Sequence, residues 1–215
     1  MLLSKSKLAM LMLTPILLWA GWCYLMKLAP SVFAAPPLRA LVRISILLLP
    51  AAWCLFNRDS TGNGFHFQSN WRRGLVVGTL AAIIYLLPLA VYRLQMQSYK
   101  LQFPSEGVIW LNWILGSPAA EELFFRVLLL GKLEAIWKTP AAIAISAFCF
   151  GLFHVPQWLM ENDRIGWWLL ASFLSIVGYG VVFGVLFRRT NSLWAALLPH
   201  IANNFVAIAL VENVD

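Results

Sequence analysis

The sequence has few charged residues for its length. Charged side chains make up 12% of the 215 residues, whereas hydrophobic residues make up 61% and the mean hydropathy is +0.76. A domain in contact with water has about a quarter of its residues charged, so the chain is not that of a soluble protein. A membrane-crossing helix takes about 20 apolar residues, and the apolar content suffices for six or seven. The composition therefore predicts an all-α, polytopic integral membrane protein.

Cysteine and clustered basic charge are also scarce. The three cysteines, Cys23, Cys54 and Cys149, lie in apolar stretches and form no CxxC pair, which argues against a disulfide framework or a zinc knuckle. The net charge is +7, but the basic residues stand singly or in pairs between apolar runs, as loop charges do in helical membrane proteins. We therefore expect a lipid bilayer as the surrounding medium and no nucleic-acid partner.

Seven apolar segments are visible, at about 8–29, 38–56, 74–92, 107–131, 140–160, 166–187 and 192–211. The polar stretch at 57–73 is the clearest loop. Alternating the segments across a membrane assigns nine basic residues to the inner side and six, including Arg39 and Arg43, to the outer side. Because basic residues prefer the cytoplasmic side, this predicts a cytoplasmic N-terminus.

Ionisable side chains within apolar segments are the strongest functional signal, because they cost several kcal/mol unless they are paired or face water. They form three groups, which are Glu121-Glu122-xxx-Arg126, His154 after Phe150, and His200 with Asn204. Glu122 and Arg126 are four residues apart on one helix face and predict an ion pair. Glu121 is rotated by about 100° from that face, so we expect it to point into a cavity without a partner. Pro118 and Pro156 favour broken or kinked helices there.

The types of these residues suit a hydrolytic site. A carboxylate with an imidazole can activate water as a general base. A second imidazole with an amide can donate hydrogen bonds to a developing oxyanion. His200 and Asn204 share a helix face, as do Phe150 and His154, so that the phenyl ring can wall the site. Asn203 is the rival of Asn204, and the i, i+4 spacing favours Asn204.

The three groups resemble the motifs of the CPBP family, the CaaX prenyl endopeptidases and bacteriocin-processing proteins that are also known as the Abi family. The family pattern is EExxxR, FxxxH and then HxxxN or HxxxD, on separate helices. It is matched here in order by Glu121 to Arg126, Phe150 to His154 and His200 to Asn204. The resemblance covers about residues 110–210. It divides the chain into N-terminal helices and loops at 1–105 and a catalytic core at 106–215, with the active site inside the helix bundle.

The resemblance implies an intramembrane endopeptidase of the glutamate type. Glu121 with His154 would activate the water, and His200 with Asn204 would stabilise the oxyanion. Glu122 and Arg126 would hold the site together. The implied substrate is a membrane-associated peptide or protein, and the short chain favours a bacterial inner membrane.

A metal is the open mechanistic question. Glu121, His154 and His200 offer the ligand types of a His2Glu zinc site. The HExxH motif of zincins is absent, and a carboxylate with a histidine can activate water alone. We therefore favour a site without a metal or other cofactor.

Two other functions compete with proteolysis. The motifs can be a packing network in a non-catalytic bacteriocin-immunity or partner-binding membrane protein. The buried Glu and His residues can also be a proton relay in a transporter, but the sequence has no repeated halves and no second acidic cluster.

Overall fold

A computed structural model describes residues 5–33, 35–56, 70–96, 99–103, 107–161 and 166–212. The first part consists of α1 (Lys5–Leu28), α2 (Pro30–Phe33), α3 (Pro36–Phe56), α4 (Trp71–Met96) and β1 (Tyr99–Leu101). The second begins with α5 (Gly107–Trp110), π1 (Leu111–Gly116), α6 (Ser117–Glu122), π2 (Leu123–Leu130) and α7 (Gly131–Glu134). It ends with α8 (Thr139–Glu161), α9 (Trp167–Thr190), α10 (Trp194–Ala209) and β2 (Leu210–Glu212).

Four helices are long and apolar enough to cross a membrane. They are Ser6–Leu28, Trp71–Gln95, Thr139–Met160 and Trp167–Thr190. Because a polar backbone is tolerated in lipid only when its hydrogen bonds are made internally, such helices satisfy the requirement for a span. The protein is therefore an all-α integral membrane protein.

The other three predicted segments depart from simple spans. The second forms α3, which carries Arg39 and Arg43. The fourth is divided into short α- and π-helical pieces, and the seventh forms α10, which has only 16 residues. The seven-span topology is thus not confirmed and stays a prediction. Most of the predicted loop at 57–73 lies outside the described residues.

The fourth segment changes helix type instead of breaking. Ser117 and Leu123, at the junctions beside α6, keep right-handed helical angles, with φ and ψ of −64° and −49° at Ser117. Pro118 lies in the first turn of α6 and has no N–H for the helical hydrogen bond. The π turns on both sides accommodate the mismatch, and such turns are frequent at functional sites. Pro156 also lies inside an uninterrupted helix, α8.

Small residues let neighbouring helices approach closely. A Cβ on Gly180 of α9 would lie 2.9 Å from the Cα of Ala147 on α8, and one on Gly78 of α4 would lie 2.5 Å from the carbonyl oxygen of Trp194. Helix association in membranes depends on such contacts because lipid tails give no hydrophobic drive between helices. The α8–α9 and α4–α10 pairs are therefore in tight contact.

The N-terminal helices pack directly on the second half of the chain. Helix α1 lies along α8, and α3 contacts α6 and π2. Between them is a buried core that includes Trp19, Phe124, Phe125 and Phe153. β1 pairs antiparallel with β2, with Lys100 opposite Val211, and joins the C-terminal ends of α4 and α10. Helices from both halves thus surround the interior in which the predicted site residues lie.

Candidate active site

A cavity of about 330 Å³ lies inside the bundle. Helices α3, π1, α6, α8, α9 and α10 all contribute side chains to its wall. The sequence-predicted residues in the wall are Glu121, Phe150, His154, His200 and Asn204. The remaining two predicted residues, Glu122 and Arg126, are wholly buried behind it and are not part of the lining. The fold therefore brings three separate sequence motifs to one point.

Glu121 lies at the centre of this arrangement and is 2% exposed. Its Oε1 accepts a hydrogen bond from Nη2 of Arg43 at 2.8 Å. Its Oε2 is buried, has no hydrogen-bond partner among the described residues, and lies 3.7 Å from Nε2 of both His154 and His200. The expectation that Glu121 has no partner was wrong, because Arg43 reaches it from a helix 78 residues away in sequence.

Glu122 forms the ion pair with Arg126 that the spacing predicts. It also makes a second contact, with His200, that the spacing does not predict. Its Oε2 accepts from Nε of Arg126 at 2.9 Å, and its Oε1 lies 2.8 Å from Nδ1 of His200. The Arg126 guanidinium also lies over the Phe150 ring, 4.9 Å from its centroid. Glu122 thus links α10 to the fourth segment, and its neighbour Glu121 faces the cavity.

Both histidines direct the same ring nitrogen toward Glu121. Nδ1 of His154 lies 2.8 Å from the carbonyl oxygen of Phe150, which can only accept, so Nδ1 carries the proton. Nδ1 of His200 donates in the same way to the Glu122 carboxylate. When neutral, each ring therefore presents an unprotonated Nε2 to the cavity. The Phe150 ring meets both imidazoles edge-on, as predicted for a wall of the site.

Asn204 lines the cavity and also holds the backbone of π1. Its Nδ2 donates to the carbonyl oxygen of Trp113 at 2.8 Å, which uses one of its two N–H groups. Asn203 lines the cavity as well, and its Nδ2 lies 3.5 Å from Oδ1 of Asn204. The i, i+4 spacing that favoured Asn204 thus does not separate it from its neighbour, because a cavity wall spans more than one stripe of a helix.

Sequence reasoning missed Arg43, Gln157 and Trp113 in the wall. Arg43 was assigned to the outer polar segments, and this was wrong, since it is 3% exposed inside α3. The signal was present, because Arg43 falls within the apolar segment 38–56 just as Glu121 falls within 107–131. For Gln157 and Trp113 the sequence carries no comparable signal.

The rest of the wall is largely apolar. Phe183 stacks on His200 with ring centroids 5.3 Å apart, and Tyr179 and Ile176 continue this side along α9. Trp158 of α8 lies beside His154, with ring centroids 5.8 Å apart. An apolar wall lowers the local dielectric constant and strengthens interactions among the polar groups. It also provides a surface for apolar parts of a bound molecule.

The three candidate ligands, Glu121, His154 and His200, do not have the arrangement of a metal site. Arg43 Nη2 lies 2.8 Å from Glu121 Oε1 and 3.4 Å from His154 Nε2, so a divalent ion held by these atoms would meet a fixed positive charge. Across the described ranges, no group of three or more His, Cys, Asp or Glu side chains is placed to hold a metal ion. We therefore derive no step that passes through a metal.

These features define a buried polar cluster within an integral membrane protein, and the cluster includes two carboxylates, two imidazoles and an amide. A sequence model of the Rce1-like family, described as type II CAAX prenyl endopeptidase Rce1-like, matches residues 103–206. This match confirms the predicted CPBP resemblance over these residues. The matched residues include all three motifs. No curated protein and no solved structure matches the chain.

Proposed function

We propose that the protein is an intramembrane glutamate-type endopeptidase that hydrolyses a peptide bond of a membrane-associated peptide or protein with an activated water. The observation that carries this proposal is the approach of two imidazole Nε2 atoms to Glu121 Oε2, at 3.7 Å each, in the wall of a cavity within the bundle. The match of residues 103–206 to a model of a protease family supports the same reaction class.

Glu121 and His154 activate the water. A water bound between Glu121 Oε2 and His154 Nε2 has two acceptors for its protons. Either group can take one proton while the water oxygen attacks the scissile carbonyl carbon. The C–O bond then forms, and the carbonyl π electrons move to the carbonyl oxygen. When the tetrahedral intermediate collapses, the C–N bond breaks and the held proton passes to the leaving amine.

His200 and Asn204 stabilise the oxyanion by hydrogen bonding. Asn204 Nδ2 has a second N–H besides the one donated to Trp113. His200 donates from Nε2 when its ring is doubly protonated, with the second proton taken up from water before the reaction and kept through the cycle. The Glu122 carboxylate at Nδ1 stabilises that charged ring. The pairing resembles the role of a carboxylate that orients a catalytic histidine and supports its positive form. Glu122 and Arg126 thus act behind the reacting groups.

The working environment and substrate follow from the family and the composition. The family is described by its action on CAAX prenyl substrates, and we propose a membrane-associated peptide or protein substrate for this chain. The bacterial inner membrane, with a cytoplasmic N-terminus, is the location that we propose. We also propose that the reaction needs no metal, because Arg43 supplies the positive charge beside Glu121.

The decisive experiment compares protein termini in membranes of cells that express the wild type, Glu121→Gln or Glu134→Gln at equal levels. Glu134 is a matched control, because it is ion-paired to Arg188 and is not in the cavity lining. We expect new termini with the wild type and Glu134→Gln, but none with Glu121→Gln. A chelator should leave the yield of termini unchanged.

Identical termini for all three folded proteins, in the native host, would contradict a peptidase. The competing function is a non-catalytic immunity or partner-binding protein, in which the same residues pack the bundle. Protection against a bacteriocin that survives Glu121→Gln would favour that function over proteolysis.

A further inference from the structure

Among the described residues that surround Glu121 with polar side chains, Arg43 lies outside the family match. It belongs to α3, whereas the family match begins at residue 103. Its side chain is 4% exposed, so a full positive charge has been removed from solvent. Burying a charge costs many kcal/mol unless other groups compensate it. The contacts of Arg43 therefore indicate why the charge is held there.

The guanidinium group is fixed on several sides. Nη2 donates to Glu121 Oε1 at 2.8 Å and lies 3.4 Å from His154 Nε2, while Nη1 donates to Gln157 at 2.7 Å. The group also lies over three aromatic rings, with centroid distances of 5.2 Å to Trp19, 5.7 Å to Trp113 and 5.4 Å to Phe153. Cation–π contacts of this kind stabilise a desolvated arginine and restrict its rotamers.

This contact distinguishes the two oxygens of Glu121. Oε1 is engaged by Arg43, and Oε2 is left facing the two histidines at 3.7 Å. The adjacent carboxylate, Glu122, has its own cation in Arg126. Two neighbouring carboxylates repel each other and resist joint ionisation. A separate guanidinium for each lets both remain charged in the same buried site.

We propose that Arg43 is a positioning residue of this site. It holds Glu121 as a carboxylate and orients it so that Oε2, not Oε1, faces the cavity histidines and the water. The inference rests on the proposed peptidase function. It also means that the N-terminal helices complete the active site instead of only surrounding it.

The test uses the new protein termini that appear only when the wild-type protein is expressed. Their yield is measured in isolated membranes for Arg43→Met, Arg43→Lys and Arg43→Ala. We expect Arg43→Met to lose about 100-fold, the size of effect that misplacement of a reacting group produces. Arg43→Lys should retain more, because it keeps the charge. Guanidinium ion added to Arg43→Ala should restore part of the yield, since it supplies the missing group. It should restore nothing to Arg43→Ala/Glu121→Gln.

The matched control is Arg188→Met, which removes another arginine that bridges two helices through an ion pair, with Glu134. Its yield should stay near that of the wild type. A folded Arg43→Met that cuts at the wild-type rate would overturn the proposal. So would an Arg43→Lys no better than Arg43→Met together with no response of Arg43→Ala to guanidinium.

A second measurement separates this proposal from the proposed function. Thermal unfolding in detergent is compared for Arg43→Met, Glu121→Gln and the double variant. Because each single change leaves an uncompensated buried charge, we expect the double variant to unfold at a higher temperature than additive losses would give. If the wild type cuts nothing, the peptidase proposal fails, while this cycle still tests the pairing. Additive losses would overturn the role of Arg43.

Discussion

Two adjacent glutamates in one apolar helix serve different purposes because their side chains leave the helix in different directions. Glu121 faces the cavity, and Glu122 faces Arg126 and His200 behind it. Both are fully enclosed by protein, so each depends on its partners to remain ionised. The consequences of losing a partner therefore differ from those at the protein surface.

We expect Arg126→Met to lower the free energy of unfolding by about 3–5 kcal/mol, because it leaves the Glu122 carboxylate buried without its cation. Arg188→Met breaks a half-buried pair with Glu134 and should cost about 1 kcal/mol or less. Unfolding in detergent, followed by circular dichroism, measures both. Equal losses in the two variants would show that burial does not govern the Glu122–Arg126 pair.

At the scale of the helix, the site depends on the contact of α8 with α9. Helix α8 carries His154, and α9 supplies Phe183 and Tyr179 to the same wall. The two helices meet at Gly180 and Ala147, where an added Cβ would lie 2.9 Å from backbone. A side chain there must push the helices apart and move the wall of the cavity.

Gly180→Val should therefore destabilise the protein by about 1–3 kcal/mol, the usual cost of overpacking, and should reduce cleavage. Gly178→Val is the control on the same helix, since a Cβ at Gly178 meets nothing within 4 Å. The measurement is unfolding temperature together with the yield of termini. Equal unfolding temperatures and equal yields for the two variants would mean that the close contact at Gly180 contributes neither to stability nor to cleavage.

At the scale of the molecule, the apolar residues are distributed outside as well as inside. Ile84, Leu87 and Leu174 are 73%, 59% and 56% exposed, respectively, on helices that qualify as spans. In water such a surface would promote aggregation. In a bilayer it faces lipid, which explains why these outward positions are apolar while the interior of the bundle contains charges.

A lysine at the outward-facing middle of α4 should therefore disturb insertion. We expect Ile84→Lys to reduce the protein recovered in carbonate-washed membranes, since a lysine at the centre of a span costs about 2.5–3.5 kcal/mol. Tyr92→Lys is the control, because Tyr92 is similarly outward-facing but lies near the end of the helix, where the long side chain can reach the interface. Equal recovery would argue against α4 as a span.

The sequence alone determined the class of protein and the three motifs, because both depend on local information. Apolar runs specify spans by length, and i, i+4 spacing specifies pairs such as Glu122 with Arg126. The same local logic placed Phe150 against His154. It also predicted a broken or kinked helix at Pro118, where the structure instead has π turns on both sides of α6.

Only the tertiary structure decided which groups meet between helices. Arg43 reaches Glu121 across 78 residues, and His200 reaches Glu122 across the same separation. Helical periodicity gives the direction in which a side chain leaves its own helix but not the helix that it meets. The packing of α3 and α10 against the fourth segment therefore decided that Glu121 has a cation, that its Oε2 faces two histidines, and that the site draws on both halves of the chain.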